Sequence, residues 1–208
     1  GNEYFGKTDG IDPEYNWKDE SSLGTGWLKV YYKDESGSGN QIPPIDFTFE
    51  SSSGGWGFGA THNEWRWQSF TSTATAPMKS VDIRVTKFGH DQASGLEKPN
   101  NLIVALYATD SNGFPTGQPL VQTAVPESSI ESKVPMNVPL SHNLEKGVRY
   151  AIAMTMETPL SLHGAYDCYG WTTSTGIPAA AGEKFGKTNN GDDVNNITNN
   201  NWVDENYL

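Results

Sequence analysis

Five apolar side chains at every second position, Val148, Tyr150, Ile152, Met154 and Met156, make the longest clean alternation in this chain. Successive side chains point to opposite faces of a strand but wind around a helix, so such a run can bury one side only as β-structure. Its length predicts a place at the centre of a sheet. Val81, Ile83 and Val85 alternate with Asp82, Arg84 and Thr86, and Ile45, Phe47 and Phe49 repeat the pattern. Residues 102–108 are continuously apolar, which predicts a strand buried on both faces. Val134, Met136, Val138 and Leu140 alternate as well, but Pro135 and Pro139 cannot donate to a ladder, and this predicts an edge. Turn clusters punctuate these runs: Asp110-Ser111-Asn112-Gly113, Pro115-Thr116-Gly117 and Glu145-Lys146-Gly147. The predicted fold class is all-β, a two-sheet antiparallel β-sandwich of the jelly-roll type.

Composition narrows the function classes. Net charge is −11, which opposes nucleic acid and anionic membrane surfaces. No apolar run approaches the ~20 residues of a membrane-spanning helix, so no membrane insertion is expected. Gly1 opens into polar sequence with no signal peptide, as in a mature or trimmed chain. The one cysteine, Cys168, forms no internal disulfide, offers no Cys-pair zinc site and reads as a small buried hydrophobe. A core of this size needs no covalent staples, which leaves secretion open.

Residues 34–44, small and polar and then stiffened by Pro43 and Pro44, read as a linker. They divide an N-terminal segment, 1–33, from a sandwich body, 45–208. The two ends of the chain carry one repeat. Phe5-Gly6-Lys7-Thr8 recurs as Phe185-Gly186-Lys187-Thr188, and Asn16-Trp17-Lys18-Asp19-Glu20 as Asn201-Trp202-Val203-Asp204-Glu205. Leu208 corresponds to Leu23. The first copy continues into Gly26-Trp27-Leu28-Lys29-Val30-Tyr31-Tyr32, a strand-forming sequence, and the second copy does not. Trp27, Leu28, Val30, Tyr31 and Tyr32 are therefore the candidate assembly strand, expected to follow the C-terminal hairpin. Three arrangements satisfy that expectation: adjacent repeats of a tandem array, donation to a neighbouring molecule, or closure within one chain. The first two put this chain against itself, head to tail.

The body resembles jelly-roll modules of bacterial and archaeal secreted and cell-surface proteins. The resemblance rests on Trp67-Gln68-Ser69-Phe70-Thr71, Lys79-Ser80-Val81-Asp82-Ile83, residues 104–110, Gly113-Phe114-Pro115-Thr116-Gly117 and residues 144–152. It implies an extracellular or cell-surface location, with the last strand displaced to the N-terminus. Such modules accompany polysaccharide-degrading enzymes, adhesins and surface arrays, so the fold alone does not choose a function.

Residues 54–70 are dense in glycine and aromatics. Sugar rings stack on such side chains, so Trp56, Phe58, Trp65 and Trp67 are candidates for a glycan platform, with Tyr166, Tyr169 and Trp171 as a second set. Trp65 and Trp67, two residues apart, also read as core. Polysaccharide is accordingly a candidate partner. No nucleophile–base motif, HExxH or phosphate loop occurs, and Glu64 near His62 or Asp167 near His163 sits in no catalytic context. No catalytic residue is assigned. Asp9, Asp12 and Glu14, then Asp192 and Asp193, then Asp110 and Asn112, are hard oxygen ligands in turns of the kind that suits a structural calcium ion; no other cofactor is implied. Asn196-Ile197-Thr198 is an N-glycosylation acceptor sequence.

The expectation is a non-catalytic structural or adhesive module of a cell-surface assembly, joined head to tail by strand complementation. The alternative is a carbohydrate-binding module of a polysaccharide-degrading system.

Overall fold

A computed structural model describes residues 17–19, 25–33, 42–47, 54–58, 65–88, 101–157, 168–174, 183 and 185–188. These form β1 (Trp17–Asp19), β2 (Thr25–Gly26), β3 (Leu28–Tyr32), β4 (Ile45–Asp46), β5 (Gly54–Phe58), β6 (Arg66–Thr71) and β7 (Ala76–Phe88). The order continues with β8 (Leu102–Thr109), β9 (Pro115–Val125), β10 (Pro135–Leu144), β11 (Arg149–Met156), β12 (Cys168–Ser174) and β13 (Phe185–Thr188). A single 3-10 turn, Glu127–Ser129, is the helical element among the described residues.

Two antiparallel sheets face one another, which is the β-sandwich the alternation predicts. One runs β1-β13-β6-β11-β8-β9. The other runs β2-β12-β7-β3-β4, with β10 also on β7 and β5 also on β12. β11 is central, between β6 and β8. Its Tyr150, Ile152 and Met154 align with Phe70 on β6 and with Leu106 and Val104 on β8, and all are buried between the sheets. From the opposite sheet Leu28, Val30, Met78, Val81, Ile83, Val85 and Val138 complete that core. β10 pairs with β7 alone among the described residues, and its register slips between Pro139 and His142, as a proline-bearing edge requires.

β7 organises the second sheet. Residues 76–84 pair with β10 along one side. On the other side residues 78–83 pair with β3 and residues 85–88 with β12. The turn feeding β11 needs Gly147, whose φ of +81° lies in the left-handed region open to glycine, where Val148 N donates to Glu145 O at 3.1 Å.

The six-stranded sheet is buried on its other face too. Trp65, Trp67, Ala105, Tyr107, Ala151 and Ala153 form a second cluster there, all fully buried. Trp65 meets Tyr107 edge-on at 5.9 Å, and Trp67 meets Phe114 at 5.5 Å. Residues 102–108 are thus buried on both faces, as their composition predicts.

Candidate functional site

The N-terminal segment enters both sheets. Gly26 pairs with Thr173, Trp27 N donates to Thr172 O at 2.8 Å, and the indole Nε1 of Trp171 donates to Trp27 O at 3.1 Å. The chain then passes from β12 to β7, aligning Leu28 with Ile83, Lys29 with Asp82 and Val30 with Val81. β4 closes the far side, where Val30 aligns with Ile45 and Phe47 N donates to Leu28 O at 2.8 Å. Strands on either side of the 34–44 stretch therefore lie in one sheet.

Period two decides what β3 buries. Leu28, Val30 and Tyr32 face the core, and burying side chains of this size stabilises by roughly 1.5–3 kcal/mol each. Tyr32 keeps its hydroxyl satisfied at 2.9 Å from both Ser72 Oγ and Thr73 N. Trp27, Lys29 and Tyr31 lie half-buried on the outer face. Tyr31 OH donates to Asp82 Oδ2 at 2.7 Å, and Asn137 Nδ2 donates to Asp82 Oδ1 at 2.7 Å. Lys29 Nζ reaches Asp46 Oδ2 at 2.9 Å, and the Arg84 guanidinium lies 5.2 Å from the Trp27 ring centre. The hydrogen bond to Asp46 raises the pKa of Lys29, and the hydrogen bond to Asp82 raises that of Tyr31.

The candidate assembly strand, Trp27, Leu28, Val30, Tyr31 and Tyr32, pairs with β7 and β4 of its own chain, in the sheet opposite β13. Residues 189–208, which it is expected to follow, lie outside the described residues. β7 is long enough to offer residues 78–83 as a ladder beyond the reach of β12.

What the hairpin receives from the N-terminal segment is β1. Trp17 stands opposite Thr188, Lys18 opposite Lys187 and Asp19 opposite Gly186. β13 is the second copy of Phe-Gly-Lys-Thr and β1 belongs to the first copy of Asn-Trp-x-Asp-Glu, so the two copies of the repeat are joined crosswise. β13 in turn pairs with β6, placing Phe185 opposite Gln68 and Gly186 opposite Trp67. Glu183, just before β13, accepts from Ser69 Oγ at 2.7 Å and lies 3.7 Å from Arg149 Nε, tying this corner to β6 and β11.

Four of the aromatic candidates for glycan stacking are interior. Trp65, Trp67, Tyr169 and Trp171 are fully buried, and a ring without exposed face cannot stack on a sugar. Trp65 and Trp67 share one face as their spacing requires, but it is the outer face of the six-stranded sheet and not the space between sheets. Trp56 and Phe58 lie on β5, aligned with Trp171 and Tyr169; their side chains, and Tyr166, fall outside the described residues. So do the candidate calcium ligands Asp9, Asp12, Glu14, Asp192 and Asp193. Asp110 uses its Oδ1 to accept from Asn112 N and Phe114 N, both at 2.9 Å, which closes its turn. Among the described residues no three His, Cys, Asp or Glu side chains gather.

Two interior polar side chains escaped the sequence reading. Arg66 and Gln68 alternate with Phe70 on the core-facing side of β6 and are buried with it. The Gln68 amide makes no hydrogen bond at either end among the described residues.

No protein-family model matches this chain, and no curated protein matches it either. Among solved structures, one similar chain is the CBM22-1–GH10 module pair of endo-1,4-β-D-xylanase 10B from Clostridium thermocellum, complexed with xylohexaose. Identity is 11% and the TM-score 0.23, over 82% of this chain and 30% of that one.

Proposed function

We propose that this protein is a non-catalytic β-sandwich module of an extracellular or cell-surface assembly, made to be joined end to end with copies of itself. One observation carries the reading: β13 pairs with β1 across the two copies of the terminal repeat. A module that closes itself with one half of each repeat copy holds the same strand-pairing address at both ends, and edge strands are natural points of chain-to-chain pairing. The polysaccharide-binding alternative draws on a candidate set from which four aromatics are withdrawn into the interior.

Light scattering over a wide concentration range tests the reading. A particle mass that grows with protein concentration is expected; a single-chain mass throughout removes it. The absence of turnover on glycosides, esters and peptides is the accompanying expectation, and activity lost in Glu64→Gln or Asp167→Asn would refute the non-catalytic assignment.

A further inference from the structure

The outer face of the second sheet carries an ordered set of polar and aromatic side chains. One row crosses four strands: Asp46 on β4 aligns with Lys29 on β3, Lys29 with Asp82 on β7, and Asp82 with Asn137 on β10. Trp27, just before β3, and Tyr31 on it flank this row, roughly 13 Å apart at the ordinary rise of a strand. The row is tied together. Lys29 Nζ lies 2.9 Å from Asp46 Oδ2, and Asp82 accepts from Tyr31 OH and from Asn137 Nδ2, each at 2.7 Å. Asn137 Nδ2 also donates to Ser80 Oγ at 2.9 Å. A cation restrains each ring, Arg84 over Trp27 at 5.2 Å and Lys29 over Tyr31 at 5.8 Å. Both rings are only half-buried, so part of each stays open to solvent. Solvent-facing ion pairs contribute little to stability, which leaves the order of this set without a folding purpose.

We propose that this face binds a neutral polysaccharide chain, with Trp27 and Tyr31 stacking on sugar rings and the row between them reading hydroxyls. A sugar presents apolar C–H groups on its ring faces and hydroxyls around its edge. Carboxylates only accept, an ammonium only donates, and the Asn137 amide does both; a hydroxyl can answer each of them. Because these side chains are already tied to one another, binding has less of their freedom to remove. Charge selects among ligands. Lys29 and Arg84 balance Asp46 and Asp82 within the face, on a chain whose net charge is −11. An anionic polymer would meet the repulsion of the whole chain, and an apolar peptide would strip water from the charged row without replacing its hydrogen bonds. A neutral sugar chain meets neither cost. β1 and β13 belong to the other sheet, so this inference stands apart from the end-to-end reading.

Affinity electrophoresis of the full chain tests the site. The neutral gels contain hydroxyethylcellulose, mixed-linkage β-glucan, arabinoxylan or galactomannan, and the acidic gels contain polygalacturonate or alginate. Retardation in at least one neutral gel is expected. Trp27→Ala and Tyr31→Ala should each weaken that retardation by about tenfold in apparent affinity, with cooperative unfolding retained. Asn137→Ala, on the exposed side of an edge strand, should weaken it severalfold and carries the test if either ring variant fails to fold. Light scattering of Trp27→Ala should match the wild type, because the face is separate from the proposed joint. Retardation in the acidic gels alone overturns the inference. So does retardation that all three variants leave unchanged, which would place the sugar elsewhere on the molecule. Unaltered migration of the wild-type chain in every gel overturns it as well, and leaves the end-to-end reading standing.

Discussion

β3 and β1 come from the same N-terminal segment, yet they enter different sheets with different numbers of ladder partners. β3 runs for five residues between β7 and β4 and drives Leu28, Val30 and Tyr32 into the core. β1 is three residues long, at the end of its sheet, with β13 as its one ladder partner among the described residues. A strand fixed by burial cannot leave without opening the core. Each main-chain hydrogen bond of a ladder is worth about 0.5–1.5 kcal/mol net. The segment thus gives one strand to each sheet, β3 between two partners and β1 at an end with one.

Truncation should expose this contrast most strongly. Removing residues 1–33 takes both strands and should abolish cooperative unfolding, followed by circular dichroism against denaturant. Removing 1–23 spares β3 and should leave a cooperative transition at a reduced midpoint. Equal damage from the two truncations would break the comparison. Leu28→Ala should cost about 2–5 kcal/mol, the range for emptying a leucine site in a packed core, measured by urea titration. A cost under about 1 kcal/mol would show that β3 is not held by burial.

Trp171→Phe tests how firmly β12 anchors the entry to β3. It removes the indole donor to Trp27 O, and leaving that carbonyl without this donor should cost about 1–3 kcal/mol. Gln68→Met has the opposite sign. Replacing an amide with no partner among the described residues by an apolar chain of similar shape should raise stability by about 1–3 kcal/mol, and a loss would reveal a partner for the amide.

The outer face of β3 should matter least. Lys29→Ala should change stability by at most about 0.5 kcal/mol and less at high salt, as solvent-facing ion pairs do. Lys29 and Tyr31 both have raised pKa values in the folded state. Their contribution is therefore complete below the ordinary values, near ~10, and is lost as pH rises through the raised ones. Tyr31→Phe should lower the melting temperature by a constant amount near neutrality, and the two proteins should converge in strong alkali. A difference that widened with pH would contradict the Asp82 hydrogen bond.

The sandwich itself was legible because its strands follow period two under burial: the alternation from Val148 to Met156 specifies β11, and the prolines of β10 specify its edge. The repeat was legible as well, but its partners were not. Sequence shows that residues 16–20 and 201–205 are equivalent; it does not say which of them pairs with β13, because the choice depends on where β3 pulls the preceding chain. β6 misled for a related reason. Residues 65–70 are buried on both faces, so the strand lacks the polar alternation that would tell the tryptophan face from the face carrying Arg66 and Gln68. The stacking candidates failed there because aromatic density marks burial as readily as exposure.

The register of β1 on β13 also fixes how the module bears a load. Trp17 stands opposite Thr188, so the first residue of β1 and the last residue of β13 lie at the same end of one antiparallel ladder. Tension applied through residues 16 and 189 meets the cross-strand bonds end-on and parts them one after another, as a zipper opens, without having to shear the whole ladder at once. In a strand of modules pulled lengthwise, each module would first part β1 from β13 while β3 and the core stay closed. Force spectroscopy should record a low, reversible extension before the main rupture. A single high-force event would place the load elsewhere in the sheet.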